Sequence, residues 1–405
     1  MTERTQVRKR VLMVGYTYYE TDPRVIREAE AALEGGYEVD FLALRRPGSA
    51  AVEMMRGVRV IRVDQQKYRG RGHFSYLLAY LKFFFRCLTK IAALFWERRY
   101  SVIHVNNMPD FLVFSTVIPW LLGAKIILDI HDPMPNTFAS KFKSSESGFF
   151  YRLLLWQERL SAAYSTQVIT VHDPVKDGIL VHHGLKPESI AVIANFADEK
   201  VFPLRSSFDI EYPIRFVFHG TILQRSGLKI LIDALSRTHH RERMALKIIG
   251  EGDFSEDLRK LITSLKLENT VQFENRSYPA HAIAEHIKDC QVGLAPLEIS
   301  SVTDYALPLK LLEYISLGLP VVAVRNKAIQ HYFSEEDCMF FNWDDPQSLA
   351  DVLDRIVTNP EILQHYRARS ITLRDRFSWG SEKQKYIELL GRLVSVPGSE
   401  VVCRA

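Results

Sequence analysis

The sequence predicts an α/β protein built as two successive doubly wound domains with parallel sheets. Short apolar runs ending in glycine or polar residues alternate with stretches of helix length. The alternation halts in a loop-like stretch over 195–213 and then restarts. The length, 405 residues, exceeds what one ordinary core organises. The expected division is 1–195, 196–375, and a C-terminal helical segment, 376–405, crossing back to the first domain. Two such domains facing each other would leave a cleft for a ligand.

In the first half, Arg10–Gly15 is a short apolar run ending in glycine, the pattern of a buried parallel strand. A loop rich in tyrosine follows (Tyr16, Tyr18, Tyr19), and Asp22-Pro-Arg24 opens a helix that Gly35-Gly36 ends. Val39–Leu44 and Gly57–Val63 are the next candidate strands, and GxGxxG is absent from this βαβ opening. The most apolar long segment is Phe74–Trp96, where Lys82, Arg86 and Lys90 recur every four residues along one helical face. Three charges in so short a span argue against a transmembrane helix. The segment is either an interfacial helix, with Phe83, Phe84, Phe85 and Phe95 near its basic residues, or a core helix with a solvated basic stripe.

Ser101–Val105 leads into the polar loop Asn106–Asp110, and Phe111–Leu122 is expected to be helical. Lys125–Ile130 is a strand followed by His131-Asp132. Functional groups of open α/β sheets gather at the carboxyl ends of strands, which favours a functional His131; a structural histidine is the alternative. Helices at 149–163 and 174–182 and strands at 167–171 and 190–193 complete this half.

The second half opens with the strand Arg215–Gly220, the helix Gly227–Leu235, and a further strand, Ala245–Ile249, feeding Gly250-Glu-Gly252. Val271–Phe273, Val292–Leu294 and Leu319–Val324 are further strands, and 346–356 and 380–394 are late helices. Between the last two strands Pro308 opens a helix that Gly318 stops. Lys310 and Glu313 lie three residues apart, on one face of its first turn. A helix N-terminus attracts anions, Lys310 adds a full charge there, and Glu313 adds an acceptor for hydroxyls. A nucleoside diphosphate suits such a pair; an ordinary solvated helix face is the bland alternative.

Composition narrows the class. Hydrophobic residues at 47% and charged residues at 25% mark a globular chain, and a net charge of +4 gives no call for nucleic acid. Cys87, Cys290, Cys338 and Cys403 are widely spaced, so neither a disulfide framework nor a zinc site is expected and a reducing cytosol fits. The polar, basic N-terminus offers only Val11–Val14 as an apolar run, too short for a signal-peptide core. GxxxxGK[ST], HExxH, GxSxG and Asp-x-Asp are all absent. No metal or cofactor is therefore expected, and fixed positive charge would have to stabilise a leaving diphosphate.

These residues together resemble the retaining glycosyltransferases of family 4, which have the two-Rossmann GT-B fold. In the first half the resemblance rests on Asp22-Pro-Arg-Val-Ile-Arg-Glu-Ala, His104–Asp110 and Leu128–Pro135. At the junction it rests on Val192-Ile-Ala-Asn195 with Asp198 and Phe202, and in the second half on His219-Gly-Thr-Ile-Leu with Arg225 and Gly227, Ile248–Gly252 and Pro308–Ala323. It implies transfer of a sugar from a nucleoside-diphosphate donor to an acceptor hydroxyl, with the anomeric configuration kept by front-face attack. The donor side would comprise Gly15, Gly220, Arg225, Gly250, Asp304, Tyr305, Leu309, Lys310 and Glu313. Of these, Arg225 and Lys310 would neutralise the diphosphate and Glu313 would hold the ribose. His131 would lie against the donor sugar, making His131 and Glu313 the catalytic pair, while Asp22, Arg24, Asn107 and Asp110 would line the acceptor side.

The sequence departs from the family pattern at three places. Tyr305 stands where the first acid of E-x7-E belongs, with Asp304 beside it, and Thr221 and Ser226 replace a customary Arg and Lys. The implied role is surface-polysaccharide or glycolipid assembly, with a sugar or lipid-linked acceptor. Lys82, Arg86 and Lys90 would suit an anionic membrane at the inner face of the cell or a lipid diphosphate. A sugar-nucleotide epimerase of the same fold and an inactive partner subunit are the alternatives.

Overall fold

The computed structural model describes residues 9–68, 70, 73–142 and 148–395. Cys403, the N-terminal residues 1–8 and the end of the 376–405 segment lie outside these. The chain divides into two compact units, one of residues up to Ala194 together with those from Glu382 onward, the other Asn195–Ser381.

The first unit is built on eight strands: β1 Arg10–Gly15, β2 Glu38–Leu44, β3 Val52–Met55, β4 Val58–Val63, β5 Val102–Asn106, β6 Lys125–Ile130, β7 Gln167–Thr170 and β8 Ile190–Val192. They run in the order β3-β4-β2-β1-β5-β6-β7-β8. All pairs are parallel except β3 with β4. Helices cover both faces of such a sheet, so its central strands are apolar throughout; Val11, Leu12, Met13 and Val14 are fully buried. Order reverses between β1 and β5, where Gly15 pairs with Asn106. That switch point is where open α/β sheets hold their ligands.

The second unit has six parallel strands: β9 Ile214–His219, β10 Met244–Ile249, β11 Val271–Glu274, β12 Val292–Ala295, β13 Val321–Val324 and β14 Met339–Phe341. Their order is β11-β10-β9-β12-β13-β14, which puts the switch point between β9 and β12. The C-terminal helix Trp379–Ser395 joins the first unit from Glu382: Ala194 N–H donates to Glu382 Oε2 at 2.8 Å, and Tyr386 is fully buried.

Two local expectations need correction. The stretch 111–122 is a 3-10 helix Asp110–Thr116 followed by a short α-helix Val117–Leu121, not one α-helix. Likewise 174–182 is a helical turn Asp173–Val175 running into a π-turn Lys176–Leu180. β3 and β14 have no counterpart in the apolar-run reading, because β3 is a largely exposed edge strand and β14 only three residues long. Of the two readings of helix His73–Arg98, the core helix is the one found: Phe83, Cys87, Ile91 and Phe95 are buried, Phe84 is half-buried, and of the named phenylalanines only Phe85 is exposed.

Candidate active site

In the second unit the site forms where β9 ends. Gly220 follows His219 with φ +120°, in the region that favours glycine, and leaves Lys310 alongside: a Cβ there would sit 3.5 Å from Lys310 Cε. The two glycine loops also lie directly on each other, since a Cβ on Gly250 would fall 1.9 Å from Gly220 O. Gly250 therefore serves chain crossing within the protein and only indirectly any ligand.

Helix Leu309–Ser316 starts after Pro308, which caps it without a side-chain hydrogen bond. Half-buried Leu309 is its first residue. Lys310 follows, with its ammonium 4.1 Å from the centre of the Phe218 ring. Burial lowers the Lys310 pKa to about 8, against an upward pull from Glu313. Glu313 Oε2 lies 3.3 Å from His219 Nε2, although that nitrogen is without a hydrogen-bond partner of good geometry among the described residues. Burial and the charge of Lys310 push the His219 pKa down to about 3, so the ring is neutral at physiological pH. Tyr314 locks the helix to the sheet: its hydroxyl accepts from His219 N–H and donates to Val217 O, both at 3.2 Å. The bland alternative, a solvated helix face, does not describe Lys310.

The remaining donor-side residues are placed differently. Lys327 holds Asp304 at 3.0 Å and Tyr305 Oη at 3.3 Å, so both Tyr305, at the position of the missing acid, and Asp304 beside it already have a cationic partner. Arg225 is exposed on the 3-10 turn Gln224–Ser226, and its guanidinium bonds no described residue. Its carbonyl accepts from Glu298 N–H at 2.9 Å.

In the first unit a cavity of about 150 Å³ opens at the carboxyl ends of β1, β5 and β6, lined by Gly15, Asp22, Arg24, Asn106, Asn107 and His131 among others. Gly15 needs no special conformation, as a Cβ there would meet only ordinary contacts at 3.4–3.6 Å. Asp22 caps the helix Pro23–Glu34 and holds Arg24 by two hydrogen bonds, at 3.0 and 3.1 Å. Burial would raise the Asp22 pKa, yet Arg24 brings it below the usual value.

His131 Nε2 lies 2.6 Å from Asp129 Oδ2, and its backbone N–H donates to Asn107 Oδ1 at 3.0 Å. Its Nδ1 is buried with no partner among the described residues. Burial works against a charged ring, but Asp129, aided by Glu28, reverses this and the pKa is raised. Asp129 is desolvated too, and His131 and His104 bring its pKa down. Behind it His104 spans Asp129 (3.4 Å), Glu28 (3.8 Å) and the Tyr386 hydroxyl (2.7 Å). Burial and Asp129 raise the Glu28 pKa to about 7. Glu28, His104 and Asp129 bring three potential ligand atoms within 4.8 Å, short of the four of a closed zinc site. Asp129 reaches both histidines and supports His131, whereas Glu28 stands beyond hydrogen-bond reach of His104 and its Oε2 has no partner among the described residues.

Asp110, expected on the acceptor side, is fully buried and lines no part of this cavity; it accepts from Asn107 Nδ2 at 3.0 Å and so orients Asn107. Sequence reasoning did not single out Asp129, His104, Glu28 or Lys327 as partners of the site. Asp129, His104 and Glu28 lie inside the motifs that carry the family resemblance, but their contacts depend on strand register and on how the helix Pro23–Glu34 packs.

Two family models match. Residues 22–195 fit the "glycosyl transferase 4-like domain" and 213–359 fit "glycosyl transferases group 1". The chain belongs to the group 1 glycosyltransferases. A relative of this glycosyltransferase chain, the putative colanic acid biosynthesis glycosyltransferase WcaL of Salmonella typhimurium, is 24% identical over 208 residues, half of each chain. Among solved structures, a sucrose-phosphate synthase from Thermosynechococcus elongatus has a TM-score of 0.74 at 18% identity, covering 95% of this chain and 99% of its own. Anabaena HepE, solved in complex with UDP and glucose, has a TM-score of 0.67 at 14% identity, covering 95% and 100%. The fold of this glycosyltransferase is GT-B.

Proposed function

We propose that the protein is a retaining glycosyltransferase that moves a sugar from a nucleoside-diphosphate donor to an acceptor hydroxyl during surface-polysaccharide or glycolipid assembly. The observation that carries this is the first turn of helix Leu309–Ser316, which presents a half-desolvated cation, Lys310, and a carboxylate, Glu313, beside the open Gly220. In this reading Lys310 neutralises the diphosphate, both when bound and as charge develops on leaving, and Glu313 accepts from the ribose hydroxyls. His131, which lines the smaller cavity, contacts the reacting sugar, while Asp129 fixes the ring. The UDP and glucose held by HepE and the colanic acid biosynthesis in the name of WcaL support this choice of substrates. No protein nucleophile or metal enters the proposal.

Peripheral membrane contact belongs to the same proposal. Among the described residues no helix is long and apolar enough to cross a membrane. Exposed Phe149, Phe150, Leu153 and Trp156 on helix Phe149–Tyr164, with exposed Arg152, would carry the contact better than the largely buried phenylalanines of helix His73–Arg98.

A thermal-shift screen against nucleoside-diphosphate sugars, with and without magnesium, tests the reading. We expect a metal-independent rise in melting temperature with one donor, and transfer of its sugar to an acceptor with α or β configuration unchanged. No shift from any donor would favour an inactive partner subunit. Isomerised free sugar nucleotide without transfer would favour an epimerase.

A further inference from the structure

A second, larger cavity lies on the carboxyl edge of the first unit's sheet. Its volume is about 720 Å³, and its walls are the loop after β2 (Arg45, Arg46), the loop after β4 (Asp64–Tyr68) and Lys82 of helix His73–Arg98. Lys67 lines both this cavity and the smaller one that contains His131, and β2 adjoins β1 in the sheet. The two therefore share a wall. The tyrosines that follow β1 hold that wall in place: Tyr18 Oη accepts from Lys67 N–H at 2.9 Å and Tyr16 Oη from Tyr68 N–H at 3.0 Å. Tyr16 in turn meets Tyr80 and Phe83 edge-on.

The lining selects an anion. Among the described lining residues four cations, Arg45, Arg46, Lys67 and Lys82, stand with one carboxylate, Asp64. Asp64 neutralises little, because its side chain is 87% exposed and comes no nearer to Arg45 than 3.7 Å. Lys82 pairs with no carboxylate among the described residues. Buried Gln65 donates from Nε2 to Ala79 O at 2.7 Å and ties this wall to helix His73–Arg98. On the helix Lys82 stands between Leu78 and Phe85, four residues after one and three before the other, so all three share a face; the two apolar side chains are 50% and 60% exposed. An anion-binding pocket with an apolar rim matches an amphiphile that carries a phosphate.

We propose that this cavity binds the phosphate or diphosphate group of an amphiphilic acceptor, whose hydrocarbon runs over Leu78 and Phe85. The inference rests on the transferase reading, since anchoring the anion here brings the adjoining sugar hydroxyl to the smaller cavity at His131.

The test is calorimetric titration of the full chain with farnesyl diphosphate and with inorganic pyrophosphate. It is run on wild type, on the double variant Arg46→Ala/Lys82→Ala, and on Lys310→Ala, which removes the cation proposed for the donor. Both residues of the double variant are exposed, so a wild-type melting temperature is expected and confirms its fold. Farnesyl diphosphate should bind wild type and Lys310→Ala alike, pyrophosphate about tenfold more weakly, and the double variant should lose at least about tenfold in affinity. Unchanged binding by the double variant, or none by wild type, would overturn the proposal. Loss confined to Lys310→Ala would place the diphosphate in the nucleotide site and overturn it equally. Binding to vesicles rich in anionic lipid, but to no soluble diphosphate, would make the surface a bilayer contact instead. Nucleotide-sugar binding measured on the same samples separates the two readings: its presence without farnesyl diphosphate binding sinks only this one.

Discussion

Lys310 keeps its ammonium 4.1 Å from the centre of the Phe218 ring, so a π face, with Glu313 further along the helix, shelters a cation that burial has brought to a pKa of about 8. A cation held this way is ready for an anion, since burial leaves it less water to shed.

The pH dependence of nucleotide binding follows from that value. Free Lys310 is charged below about pH 8, and a bound diphosphate raises its pKa. Affinity should be full below pH 8 and fall as pH rises through it, with a proton taken up on binding. Lys310→Ala should weaken binding by about 1.5–3 kcal/mol and flatten the profile above pH 8. Calorimetry at pH 7 and pH 9 in two buffers reads both effects; a flat wild-type profile would remove Lys310 from the site.

Glu313→Gln retains the shape of the side chain and loses its charge. We expect roughly tenfold weaker nucleotide binding at an unchanged melting temperature, a loss typical of one charge-assisted hydrogen bond. Equal affinity in calorimetry would exclude Glu313 as the ribose acceptor.

His131→Ala should lower kcat by a hundredfold or more while leaving nucleotide affinity within about threefold. The His131–Asp129 pair also links stability to pH. The folded pKa of His131 is raised above its ordinary 6.5, so the stability it contributes is full below pH 6.5 and is lost as pH rises through the folded value. Thermal melts from pH 6 to 9 should show that decline in wild type and not in His131→Gln. A fully active His131→Ala would make the residue structural.

Burial, together with the charge of Glu158, pushes the Asp110 carboxyl up to about 8. A raised carboxyl pKa costs stability as pH climbs from the unfolded value, near 4, to the folded one. Asp110→Asn keeps an oxygen for Asn107 Nδ2 and should be at least as stable as wild type at pH 7.5, losing the advantage at pH 4. Urea unfolding at the two pH values decides this, and a variant weaker at both would show that the ionised carboxylate is needed.

Gly293 sits under the Tyr314 ring, and a Cβ there would lie 2.2 Å from Tyr314 Cδ2. Gly293→Ala should therefore destabilise the chain by about 1–3 kcal/mol and weaken nucleotide binding, because displacing Tyr314 shifts the helix bearing Lys310 and Glu313. Wild-type melting and binding would show that the ring moves aside without cost.

The sequence alone determined the two parallel α/β halves, the helix behind Pro308 with Lys310 and Glu313 on one face, and the strand-end position of His131. Each is local: continuous apolar runs mark strands covered on both sides, and helical spacing fixes which residues share a face. It did not determine that Lys310 would rest on Phe218, that Lys327 would hold Asp304 and Tyr305, or that Asp110 would be buried behind Asn107. Nor did it reveal that Asp129 lies between two histidines, or that the tyrosines after β1 brace a basic cavity. Those contacts join residues as far as 92 positions apart, as Phe218 and Lys310 are. Strand order and register bring them together, and with them the burial that sets each charge.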